Sequence, residues 1–188
     1  AHSLGPAHED AGDGREDGAI CGGPLASTME ELKAQTSALG LTDWLAGKGV
    51  VPRELAEKAH VRDVGWTFGH IARGMYDAEG KIKPYSALAA IQVGALLEKG
   101  ALSWNAEAPA ANGTDRGCLA IDFARMPAAV TELETLVLGV KARGDAEGAK
   151  ALEARYVRAE GPLAALFATI TERVLRNPAA TFLYSVRQ

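Results

Sequence analysis

Long apolar runs are missing from this sequence. The most apolar stretch, YSALAAIQVGALL at 85–97, carries Ser and Gln. It falls short of the ~18 continuous apolar residues of a membrane span, so no membrane partner is expected. Basic runs are missing as well. Lys and Arg total 20 against 24 Asp and Glu, for a net charge of −4. No basic segment interleaves with aromatics, so no nucleic-acid partner is expected, and the weak negative charge selects no partner of its own. Cysteine is scarce. Cys21 and Cys118 form no CxxC pair and no zinc-ribbon spacing. Two cysteines do not make a disulfide framework, so they read as free thiols and leave the compartment open. There is no internal repeat. No strand leads through a Gly-rich loop into a helix, which leaves out a phosphate loop and a dinucleotide fingerprint.

What is present is a globular balance: 47% apolar and 23% charged residues over 188 positions, enough for a sizeable core. Residues 1–26 are rich in Gly, Asp, Glu and Pro and read as an acidic loop. STMEE then opens a helix, with Ser27 and Glu30 in the S-x-x-E spacing of a capping box, and GKG at 47–49 closes it. Pro52 suits the first turn of a second helix. There Val61, Val64, Phe68, Ile71 and Met75 form an apolar stripe that ends near AEG at 78–80. A third helix from Pro84 to about Lys99 is apolar on nearly every side and should be central. ALSW and CLAIDF, with Asn112-Gly113 between them, read as a β-hairpin. Three further helices follow: one after Pro127 stopped by Gly144, one capped by Asp145, and one opened by Pro162 that ends before Asn177. The tail TFLYSV reads as a short strand or extended segment. The fold class is mainly α with one small hairpin.

The residues with chemical potential are few. The four histidines are His2, His8, His60 and His70, and no H-E-x-x-H lies within the chain. Taken singly, each reads as a surface or hydrogen-bonded histidine rather than as a ligand. Glu31 and Gln35 are four apart and share a helix face, yet acidic residues in a first helical turn also serve capping and the helix dipole. Trp66, His70, Arg73 and Asp77 recur at helical spacing opposite the apolar stripe. They would line a polar cleft or form an ion-pair ladder.

Four segments in order carry a family resemblance: AHSLGPAHE, STMEELKAQTSALGLTDWL, DVGWTFGHIARGMYDAEGKIKPYSALAAIQVGALLEKGAL, and NGTDRGCLAIDF with the helices behind it. Together they cover nearly the whole chain. They resemble the C-terminal part of bacterial zinc hydrolases similar to dipeptidyl-peptidase III, metallopeptidases with a helix-rich catalytic domain. The resemblance implies that residues 1–26 are the loop after a zinc-binding helix and residues 27–188 the helical C-terminal part of the catalytic domain. His2 would be the second histidine of an H-E-x-x-H motif. The first histidine and the catalytic glutamate would lie upstream of Ala1, so this fragment alone is expected to be inactive. Glu31 matches the glutamate that completes the zinc ligands, and Gln35 stands where the family has an acid that orients a ligand histidine. Tyr85 falls where the family has a histidine that steadies the reacting carbonyl. Trp66, His70 and Arg73 would face a peptide substrate. A water in the fourth zinc position would attack the peptide bond. Two departures, Gln35 for an acid and Tyr85 for a histidine, bear on the activity of the full protein.

A second reading needs no chemistry: a helical module whose Trp66, His70 and Arg73 grip a peptide or small ligand. A Nudix-type nucleotide hydrolase is set aside, because its long Gly…Glu…Arg-Glu-x-x-Glu-Glu run is not present.

Overall fold

A computed structural model describes residues 2–5 and 23–176. Most of the acidic loop with His8 and Cys21, and the TFLYSV tail, lie outside the described residues. The described chain folds into six α-helices, a π-helical turn and one two-stranded sheet. The mainly α class with a small hairpin is what the sequence predicts.

Helix α1 spans Leu25–Gly47. It begins earlier than a Ser27–Glu30 capping box would place it. Pro24 already holds helical angles at φ −58°, because its ring fixes φ near that value. Ser27 and Glu30 therefore lie inside the helix, and no side chain caps its start. Glu30 is recruited by charged neighbours instead. At the other end Gly49 turns left-handed (φ 70°). The Val50 amide returns to the Leu45 carbonyl at 3.0 Å, the six-to-one closure of a helix stop.

Helix α2 spans Arg53–Ile71, shorter than the apolar stripe suggests. Gly74 at φ 76° ends it, and a Tyr76–Ile82 bridge follows. Met75 packs on the core from beyond the helix. The stripe itself is displaced. Val61 is 52% exposed, while Ala56, His60, Asp63, Val64, Thr67 and Ile71 are buried. Polar residues occupy the inner face because the fold supplies their partners: His60 Nε2 lies 3.0 Å from Asp43 Oδ1, and Asp63 accepts from Gln35 and Gln92. Buried polar groups persist where they are hydrogen-bonded.

Helix α3, Pro84–Glu98, is the centre. Every residue from Ser86 to Leu96 is buried, and α3 contacts α1, α2, the helix at Met126–Arg143, the first strand and the π-helical turn. Its small residues allow that crowding. A Cβ on Gly94 would stand 2.3 Å from the Tyr156 ring.

Strands β1 (Leu102–Pro109) and β2 (Arg116–Ile121) pair antiparallel, Trp104 opposite Leu119, with an irregularity between Asn105 and Pro109. Helix α4, Met126–Arg143, stops at left-handed Gly144 and packs along α1. Asp145 caps α5, Ala146–Leu152, by accepting the Gly148 amide at 2.8 Å. The π-helical turn Glu153–Val157 presents Tyr156 to α3. Helix α6, Gly161–Arg176, lies on α2 and reaches the hairpin, where Arg173 crosses the Trp104 ring and donates to the Gly117 carbonyl at 2.8 Å.

Candidate functional site

The first two turns of α1 carry two adjacent carboxylates toward His2. Glu30 is the more heavily engaged. Its Oε1 lies 3.1 Å from His2 Nδ1 and 3.1 Å from the Lys33 amine. Its Oε2 lies 2.9 Å from the Lys141 amine, which arrives from the last turn of α4. Lys33 also donates to the His2 carbonyl at 3.0 Å. Both lysine side chains are almost wholly buried. Partial burial pushes the Glu30 pKa up, but hydrogen bonds from Lys141, His2 and Lys33 outweigh it and bring the pKa down to about 2. An ionised carboxylate only accepts. His2 therefore carries its proton on Nδ1 and keeps its lone pair on Nε2 when neutral.

That Nε2 lies 3.6 Å from Glu31 Oε2. Two donors on one tetrahedral zinc, at the usual 2.0–2.2 Å, stand about 3.3–3.5 Å apart. The pair is thus spaced as two ligands of one ion. The carboxylate on Nδ1 is the arrangement that orients metal-bound histidines. The fit stops at two donors: among the described residues no group of three or more His, Cys, Asp or Glu is placed to hold a metal ion.

Tyr85, in the first turn of α3, hydrogen-bonds Glu31, and this contact with the carboxylate raises its phenol pKa. Its ring lies 5.4 Å from the His70 ring and 6.2 Å, edge-on, from Trp66, while Trp66 and His70 are 4.2 Å apart. Burial lowers the His70 pKa, with the Arg73 charge adding to it, so this imidazole is neutral at pH 7. His2, Glu31, Tyr85, His70 and Trp66 therefore form one connected face, built from the chain start, α1, α2 and α3.

Other residues singled out in the sequence fall elsewhere. Arg73 and Asp77 lie past the end of α2, so the four-residue ladder does not continue along one helix. Arg73 is exposed, and Asp77 closes a turn by accepting the Glu79 and Lys81 amides. Gln35 donates to Asp63. Asp63 is buried, and that burial raises its pKa despite the amides of Gln35 and Gln92 and the charges of His60 and Arg62. Sequence reasoning missed Lys33, Lys141 and Asp63. The i,i+3 spacing of Glu30 and Lys33 was a legible signal. Nothing in the sequence marks Lys141 or Asp63.

The fold is that of a segment of dipeptidyl-peptidase III. The chain superposes on the enzyme from Caldithrix abyssi with a TM-score of 0.68 at 22% identity, covering 92% of this chain and 30% of that one. It superposes on dipeptidyl-peptidase III from Corallococcus sp. strain EGB with a TM-score of 0.64 at 24% identity, covering 81% and 25%. In sequence, 137 residues are 29% identical to Nudix hydrolase 3 of Arabidopsis thaliana, which is 73% of this chain and 16% of that protein. The chain thus spans less than a third of each of these proteins. No protein-family profile matches it.

Proposed function

We propose that these residues are the C-terminal part of the catalytic domain of a zinc metallopeptidase of the dipeptidyl-peptidase III kind. Residues 1–26 would be the loop that follows the zinc-binding helix, and 27–188 the helical remainder. The observation that carries this reading is the His2 Nε2–Glu31 Oε2 separation of 3.6 Å, with Nδ1 held by Glu30. His2 and Glu31 are two of the metal donors. In the dipeptidyl-peptidase III pattern, a further histidine and the glutamate that serves as general base would complete the site. When bound, zinc polarises the peptide carbonyl and activates water.

The remaining work falls to this chain's side chains. Glu30 fixes the His2 ring and its tautomer. Tyr85 offers a phenol proton, now given to Glu31, to the carbonyl oxygen of a peptide. Trp66 and neutral His70, inclined to each other, provide an aromatic wall for the substrate backbone and side chains, with Arg73 at the rim. The clustered rings of Trp66, His70 and Tyr85 also favour the second reading, a module that holds a peptide without cleaving it. The Nudix name describes a plant protein of which this chain matches 16%, and the acidic run that chemistry needs is not in these residues.

The test is the zinc content of the full-length protein. Glu31→Ala should cut bound zinc sharply as measured by elemental analysis. Zinc retained at the unaltered level refutes the role of Glu31 and moves the binding-module reading to first place.

A further inference from the structure

Lys141 has no part in the metal pair or the peptide face, yet its placement is costly. Lysine is almost never fully buried unless paired. The fold nonetheless buries two lysines, Lys33 and Lys141, and directs both at the Glu30 carboxylate. A lysine in the last turn of a helix has an easier alternative, since it can reach solvent and still favour the helix dipole. Lys141 instead turns inward from α4, with 2% of its side chain exposed.

The two lysines divide the carboxylate between them. Lys33 shares Oε1 with His2, and Lys141 takes Oε2. One cation would balance the charge. A second, on the other oxygen, also fixes the plane of the carboxylate and so the direction in which Oε1 meets His2. We propose that Lys141 is a positioning residue for His2: by anchoring Glu30 Oε2 from α4, it holds Oε1 against Nδ1 and keeps Nε2 turned toward Glu31. The proposal rests on the metal-donor reading given above, but its effect on His2 exists without metal.

The test uses the full-length protein, with nitrogen-detected NMR of the His2 ring in the metal-free form and calorimetric titration of Zn2+ alone. The unaltered chain should show His2 protonated on Nδ1. Lys141→Met should mix in the Nε2-protonated form and weaken Zn2+ binding, by less than the roughly 10–100-fold expected from losing Glu30, the direct partner of the ligand. Lys141→Arg should largely restore both. On a Glu30→Gln background, Lys141→Met should cause no further loss. If Lys141→Met does not melt cooperatively, Lys141→Gln reads the same tautomer change. An unchanged His2 tautomer in a folded variant overturns the proposal, as does an equal loss of affinity on the Glu30→Gln background. Glu31→Ala separates the two ideas. If it leaves Zn2+ affinity untouched, the metal-donor reading fails, and the tautomer measurement still decides whether Lys141 positions His2.

Discussion

Two glycines in neighbouring helices make a sharp test of the packing. Gly94 sits in buried α3, and a Cβ there would come within 2.3 Å of Tyr156 Cδ1 and 3.0 Å of Cε1. Tyr156 has little freedom to retreat. It is 5% exposed, and its hydroxyl donates to Glu98 at 2.8 Å. Forcing an added methyl into a filled core costs about 1–3 kcal/mol, and a lost hydrogen bond adds about 1 kcal/mol. Against this stands the gain of about 0.4–1 kcal/mol from replacing Gly by Ala in a helix. Gly94→Ala should therefore destabilise by about 1–3 kcal/mol, lowering the melting temperature by about 2–10 °C for a chain of this size. Gly65 in α2 is the control, since a Cβ there meets nothing within 4 Å. Gly65→Ala should raise the melting temperature by about 1–4 °C. Thermal melts by circular dichroism at one pH measure both. Changes of the same sign in the two variants would refute the claim that Tyr156 fills the space over Gly94.

Buried Asp63 and Glu30 should respond to acid in opposite directions. Burial raises the folded pKa of Asp63 above its ordinary 3.8, so its contribution is fully present below that value and is lost as pH rises through the folded pKa. The stability of the unaltered chain relative to Asp63→Asn should improve as pH falls from neutrality toward 3.8, and a constant difference in chemical melts over that range counts against the assignment. Glu30, lowered to about 2 against an ordinary 4.5, contributes above 4.5 and loses that contribution as pH falls toward 2. Glu30→Gln should flatten the acid loss in that window. Trp66→Ala should weaken peptide binding by the full-length protein roughly two- to tenfold, from an aromatic contact of about 0.5–1.5 kcal/mol. Its zinc content should stay the same, and a change in melting temperature alone would assign Trp66 to structure.

Punctuation residues made much of the fold legible. Pro52 and Pro84 precede or open helices, Gly144 ends α4 in the left-handed conformation, and Asp145 caps α5. These signals act locally and survive any packing. The apolar run of α3 also reads directly as a central helix, because it leaves no polar face for solvent. The face of α2 was not legible. Its apolar stripe competes with a polar stripe of His60, Asp63 and Thr67, and the partners that let the polar one turn inward are on α1 and α3. The same holds at the site. His2, Glu31, Tyr85, His70 and Trp66 stand out as residue types and through family resemblance, and they prove to be neighbours. Glu30 reads locally as a cap, and only the arrival of Lys141 from a distant helix shows what else it does.

The Glu30–Lys141 contact also fixes when this site comes into being. It joins residues about 110 positions apart, and closing a loop of that length costs about 4 kcal/mol of chain entropy before any contact is made. The carboxylate beside His2 therefore acquires its final setting only when α4 has been synthesised and docked. A chain that stops short of α4 would keep His2 and Glu31 in covalent sequence and lack the buried cation that Glu30 meets. The final setting of that carboxylate is therefore a report that the whole helical body has closed.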